Sequence, residues 1–244
     1  MTSFKKGQSL VEFAVLLPLL LVLIVGVVEV VIFVGTYINL VDLTREAARF
    51  ASTNDPFEQT SITGDLDCST TDSYNFYYDT SCVFSPLAGT INTICTQQPK
   101  WCNGFNSNEM FNSAMDDILI TNFTITSYLP AGSPGIVTNH WPSAGPWAWS
   151  DHDYDTAHNG NWQRNCDGST PTTAVVPIND AYINSYTQSN AQPNKGFVVV
   201  EVYYCYNQIL NAPIISQLLP NPIKIHTYTI MPLPAAQPSP TPNT

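Results

Sequence analysis

Three aspartates at every second position, Asp151, Asp153 and Asp155, are the residues with the clearest metal-binding spacing. Carboxylates so spaced can converge their oxygens on one hard cation, as in the first half of a calcium loop. The rest of that loop pattern fails, because Thr156 stands where the turn glycine belongs and Trp162 where the bidentate glutamate belongs. Ca2+ is therefore a candidate cofactor on these three residues alone, and no other cofactor is indicated. His140, His152 and His158 lie nearby, but their spacing fits no tight zinc pattern. Asn122-Phe123-Thr124 is a sequon that makes Asn122 a candidate for an N-linked glycan, with O-linked sugar on the many Ser and Thr as the alternative.

Two further acids, Glu12 and Glu29, sit inside an apolar run, where an ionised carboxylate is costly and marks a partner or a function. Glu29 has no basic residue in its own run, so its expected partner is another chain or a shared proton. There is no Gly-x-Ser-x-Gly, HExxH, phosphate loop or CxxCH in the chain, so the expectation is a protein that is not an enzyme.

Charge excludes another class. Fifteen of the nineteen acidic residues follow Ser52, against Lys100, Arg164, Lys195 and Lys224, which leaves that part strongly negative. Such a surface repels phosphate backbones, so no nucleic acid partner is expected. All six cysteines, Cys68, Cys82, Cys95, Cys102, Cys166 and Cys205, also follow the apolar run. An even count beyond a membrane-crossing segment favours disulfides in an oxidising compartment. Local bridges among the first four and a Cys166 to Cys205 bridge are the preferred pairing among the fifteen possible.

The element that must position the two apolar-run acids is a single long helix. Lys5 and Lys6 precede an apolar stretch from Leu10 to Val34, long enough to cross a bilayer at roughly 20 residues per span. The two lysines hold their end in the cytoplasm, and the rest of the chain is placed outside. Pro18 removes one helical hydrogen bond and is expected to kink or loosen the run. No small-residue cleavage site follows the run, as a secretory signal would require. Instead Leu40, Leu43, Ala47 and Phe50 recur at helical spacing, with Asp42, Arg45, Glu46 and Arg49 on the other face. Arg45, Glu46 and Arg49 thus carry the helix on past the membrane.

The order Gly7-Gln8-Ser-Leu-Val-Glu12-Phe13 resembles the processing motif of type IV prepilins, and most closely the pseudopilins of the tight-adherence system. With Leu-Pro-Leu-Leu, Gly26, Glu29 and Thr44-Arg45-Glu46-Ala47-Ala48-Arg49, the first 50 residues resemble the TadE-like family. The resemblance implies a leader, residues 1–7, removed after Gly7 by a prepilin peptidase to leave Gln8 as the new N-terminus. It also implies that Glu12, Phe13 and Glu29 set register in assembly, with Glu12 pairing to the free amine of Gln8 on a neighbour. The implied partners are copies of the chain, other pilins, the peptidase and a membrane assembly platform.

Beyond the helix, residues 8–52, the chain reads as an exposed β-rich domain, 53–231, and a Pro-rich tail, 232–244. Thr53 to Ser81 reads as surface loop, and Phe111 to Ser127 as a short helix through Met115 and Ile118 running into a strand. Phe197 to Tyr206 and Ile223 to Ile230 read as strands, with a short helix between them from Ile209 to Leu219. The aromatic residues from Trp141 to Trp162 are expected mainly in a core. The expected fold class is α+β, a long N-terminal helix followed by a loop-rich, disulfide-bonded sheet domain resting on its outer half. The leading function is a pilin-like subunit of an extracellular filament with roles in adhesion. The alternative is a single-span adhesin or carbohydrate-binding module that does not polymerise.

Overall fold

A computed structural model describes residues 5–57, 76–84, 111–112, 114–127, 135–152, 160–187, 195–210 and 220–233. Helix α1, Lys5–Ser52, runs as one helix through Gly7, Gln8 and Pro18. Among the described residues it is followed by a short helix α2, Phe76–Ser81, and by strands β1, Asp117–Ser127, β2, Gly135–Trp141, and the two-residue β3, Trp147–Ala148. Helix α3, Asp180–Thr187, precedes β4, Lys195–Tyr206, and β5, Ile223–Leu233. The sheet is antiparallel in the order β2-β1-β4-β5, with β3 also pairing to β1.

The run Phe-Val-Val-Val-Glu-Val-Tyr-Tyr-Cys-Tyr forms the central strand β4 because its β-branched and aromatic residues suit a pleated, packed surface. Side chains alternate between faces, yet the run is almost continuously apolar, since both faces of the sheet are covered. On one face Val198, Val200 and Val202 join Ile118, Ile120, Ile225 and Leu233 against Leu40, Leu43, Ala47, Ala48 and Ala51 of α1. The three alanines let the helix backbone lie close to the sheet. On the other face Val199, Phe123 and Ile125 meet Ile178 and Ile183, while Leu119 and Tyr203 meet Trp162 and Val175. Close approach also fixes Gly196, where an added Cβ would stand 3.1 Å from Leu233 Cδ1 and 3.3 Å from the Phe123 carbonyl oxygen.

The α+β class and the sheet seated on the outer half of the helix are as expected. The Cys166–Cys205 bridge is present, tying the loop after β3 to the central strand. Cys82 is disulfide-bonded, and Cys68, Cys95 and Cys102 lie outside the described residues.

Two local readings change. Phe76–Ser81 is helix rather than surface loop, because Phe76 and Tyr78 are buried with Val83 and Phe84 in the α1 core. Met115 lies in a turn, with its N–H bonded to the Asn112 carbonyl, and Ile118 is already in β1. The helix expected there loses to strand pairing, since Ile118 faces Val202 and joins the core beneath α1. The segment from Asn211 to Leu219 and the tail from Pro234 lie outside the described residues.

Candidate functional site

The long helix is two different objects along its length. From Val11 to Val28 its large apolar side chains are exposed or at most half-buried, and nothing of the described head covers them. This segment is long and apolar enough to cross a membrane. From Glu29 onward the head covers one side, and by Leu40 the contact is a full core. Asp42 to Arg45 and Glu46 to Arg49 form ion pairs three residues apart on the outer face. Exposed pairs of this kind add little stability and keep that face in water.

Glu29 marks the junction. It is 6% exposed, and its carboxylate accepts the Tyr206 hydroxyl at 2.8 Å and the Ile209 and Leu210 amides at 3.0 and 2.9 Å. Phe33, one turn further along the helix, meets the Tyr206 ring edge-on at 5.3 Å. The end of β4 and the start of the following loop thus form a collar around one carboxylate of the helix. The expectation that Glu29 finds its partner in another chain is corrected here. Burial of an acid without neutralising donors is costly, and this chain supplies three donors from its own head. A second polar link lies further out, where Thr44 Oγ1 is 2.9 Å from Thr227 Oγ1 of β5 and donates to the Leu40 carbonyl.

Glu12 and Phe13 lie on the exposed part of the helix. Gly7 and Gln8 are within its first turns. Gly7, Gln8 and Glu12 are therefore separate from the collar, about 25 to 33 Å away along the helix at 1.5 Å per residue.

The other polar groups are structural nodes of the head. Asp117 accepts the Ser150 amide and hydroxyl at 3.0 and 2.7 Å, and the Ile118 and Trp162 amides at 3.0 and 3.1 Å. Asp116 accepts the Asn112 and Cys205 amides, both at 2.7 Å. Burial pushes both carboxyls up to about 6 against these donors. Glu201, 1% exposed, accepts the Ile178 amide at 2.9 Å and lies 2.9 Å from His226 Nε2. Tyr203 stacks on His226 at 4.3 Å and donates to Glu201, and burial followed by the Glu201 charge raises its hydroxyl well above the usual range. These acids have no signal in spacing, because many of their partners are backbone amides and side chains brought in from distant parts of the chain.

Asp151 belongs to the same network, accepting the Gly160 amide at 2.7 Å where Gly160 adopts a left-handed φ of 51°. Asp153 and Asp155 lie outside the described residues, and no cluster of three candidate metal ligands occurs among the described ones. Asn122 is 1% exposed in the middle of β1, with its Nδ2 3.3 Å from the Tyr77 hydroxyl. The folded chain does not present it for glycosylation. Trp147 is in the core, as expected for the aromatic stretch. An open cleft of about 1060 Å3 is lined by Asp151, Trp162, Gln163, Arg164, Thr170 and Thr172 among others.

Residues 7–49 match the family model described as TadE-like protein. No curated protein and no solved structure matches the chain. The matched stretch is α1 almost entirely, from the glycine of its first turn to the last arginine above the sheet. With the apolar span, it supports a membrane-anchored subunit related to the tight-adherence pilus.

Proposed function

We propose that this chain is a structural subunit that waits in the cytoplasmic membrane and assembles through α1 into an extracellular filament of the tight-adherence type. The observation that carries this reading is the bare segment from Val11 to Val28, which projects from a head that seats only the other half of the helix. In the membrane that segment is solvated by lipid, and in a filament by the same segment of neighbouring copies.

Cleavage after Gly7 removes Lys5 and Lys6, the charges that hold the end at the cytoplasmic surface. The new amine at Gln8 then offers Glu12 of a neighbouring copy an opposite charge in apolar surroundings, which sets register more than it adds stability. The chain's partners in this reading are copies of itself, other pilins, a prepilin peptidase and an assembly platform. Its acidic head is displayed outside for surface attachment, with no catalytic step.

Electron microscopy of sheared filaments with N-terminal mass spectrometry tests the proposal. Filament protein beginning at Gln8, and loss of filaments in Glu12→Ala, are the expected results. Uncleaved protein extracted only as monomer would overturn it. That outcome would favour the second reading, a single-span carbohydrate binder. For it speaks the cleft that combines Trp162 with the hydrogen-bonding side chains of Gln163, Arg164, Thr170 and Thr172. Glycan binding abolished by Trp162→Ala would be its signature.

A further inference from the structure

The collar places two large apolar residues at an unusual height. Ile209 is 64% exposed and Leu210 42% exposed, and both backbone amides are bonded to Glu29. Isolated exposed apolar side chains need no explanation. These two are held at a fixed point on a helix whose preceding segment, from Phe13 to Val28, is apolar on all sides. Glu29 follows Val11 by 18 residues, about 27 Å at 1.5 Å per residue, against a hydrocarbon thickness of about 30 Å.

We propose that the start of the loop after β4, at Ile209 and Leu210, is a second membrane contact that rests among the acyl chains of the head-side leaflet while the subunit is anchored. The proposal rests on the reading of α1 as a membrane anchor and adds to it a site on the head. Its physical requirement is severe, because an amide that enters hydrocarbon without an acceptor costs several kcal/mol. Glu29 meets that requirement for both amides and for the Tyr206 hydroxyl. The helix at this level still shows apolar side chains to its surroundings, at Val27, Val28, Val30 and Val31. Eight residues beyond Glu29, about 12 Å further out, the exposed Tyr37 stands where an amphipathic ring suits the headgroup layer.

Lipid is the occupant that fits. The three donors of the collar are already taken up by Glu29, so what the exposed Ile209 and Leu210 side chains offer a neighbour is apolar area. The Glu29 carboxylate thereby acts as a positioning group for the loop as well as for the helix. A head with this contact is held upright against the leaflet at one side rather than free to tilt about its anchor.

The test uses the full chain in vesicles of phosphatidylethanolamine and phosphatidylglycerol, with the photoreactive residue benzoylphenylalanine in place of Ile209, Val22 or Val176. Val22 lies within the bare span, and Val176 is an exposed apolar residue of the head away from the collar. After irradiation, phospholipid adducts are measured by intact mass. Expected are adducts at Val22 and Ile209, with roughly tenfold less at Val176, the contrast between lipid contact and its absence. Adduct at Val22 without adduct at Ile209 overturns the loop contact and leaves the anchor standing. Equal adduct at Ile209 and Val176 also overturns it, since lipid would then touch the head indiscriminately. Absence of adduct at Val22 overturns the anchor reading and the loop contact with it.

Discussion

The Tyr206 hydroxyl donates to Glu29 at 2.8 Å across 177 residues of chain, joining the end of the central strand to the middle of the N-terminal helix. One carboxylate thereby fixes both the height and the rotation of the helix relative to the head. Glu29→Ala leaves the hydroxyl and two amides without their acceptor and is expected to cost about 2–4 kcal/mol, while Tyr206→Phe costs about 1–2 kcal/mol. Chemical unfolding of the detergent-solubilised chain, followed by near-UV circular dichroism, measures both. Unchanged midpoints in both variants would show that the collar does not hold the helix.

Helix α1 should respond to truncation differently in its two halves. Leu43 is fully buried against the sheet, so Leu43→Ala is expected to destabilise the head by about 2–5 kcal/mol. Leu20 lies on the bare segment, and Leu20→Ala should leave head unfolding unchanged within about 0.5 kcal/mol. Equal effects in the two variants would mean that the bare segment is also part of the head's core.

Head stability should fall as pH rises from about 4 to about 6. Burial pushes the carboxyls of Asp116 and Asp117 up to about 6, above their ordinary value, so in this window the folded state binds protons that the unfolded state has released. Stability therefore declines as pH climbs through the interval and levels off above the folded value, by on the order of 1–3 kcal/mol per group. Urea midpoints at pH 4.5 and 7.5 measure the decline, and Asp117→Asn should reduce it. A slope unchanged by that substitution would assign the effect to other groups.

The Cys166–Cys205 bridge closes a separation of 39 residues. Loop entropy assigns such a bridge about 4 kcal/mol, and replacing both cysteines by serine should lower the urea midpoint accordingly. A loss of stability below about 1 kcal/mol would imply an unfolded state already restricted by other contacts.

How much of this was legible varied with the kind of force involved. Periodicity was enough for α1, β4 and β5, since Leu40, Leu43 and Ala47 repeat at helical spacing and Val198 to Val202 suit a strand buried on both faces. The Cys166 to Cys205 pairing was also anticipated. Glu29 stands out in the sequence as an acid in an apolar run, but its donors lie 177 to 181 residues away and two of them are backbone amides, which every residue but proline carries. Asp116 and Asp117 resemble any polar pair at the start of a strand, and only the fold brings Ser150, Trp162 and Cys205 to them. Asn122 has the right neighbours for a sequon, yet strand pairing buries it. Phe76–Ser81 sits in a polar stretch where local composition says loop, and the contacts of Tyr77 and Tyr78 with Trp147 that hold it in the core are tertiary.

The seat of the helix has a consequence for the order in which the chain is made. Leu40 to Ala51 leave the ribosome long before the strand β5, Ile223–Leu233, that brings Thr227, Ile225 and Leu233 against them. A chain that stops short of Ile223 still has β4 to lay against this alanine and leucine face, but lacks the part of its cover that Ile225 and Leu233 supply. The seat of α1 is therefore finished only when β5 has been made, and the helix waits for it with part of its apolar face unpacked.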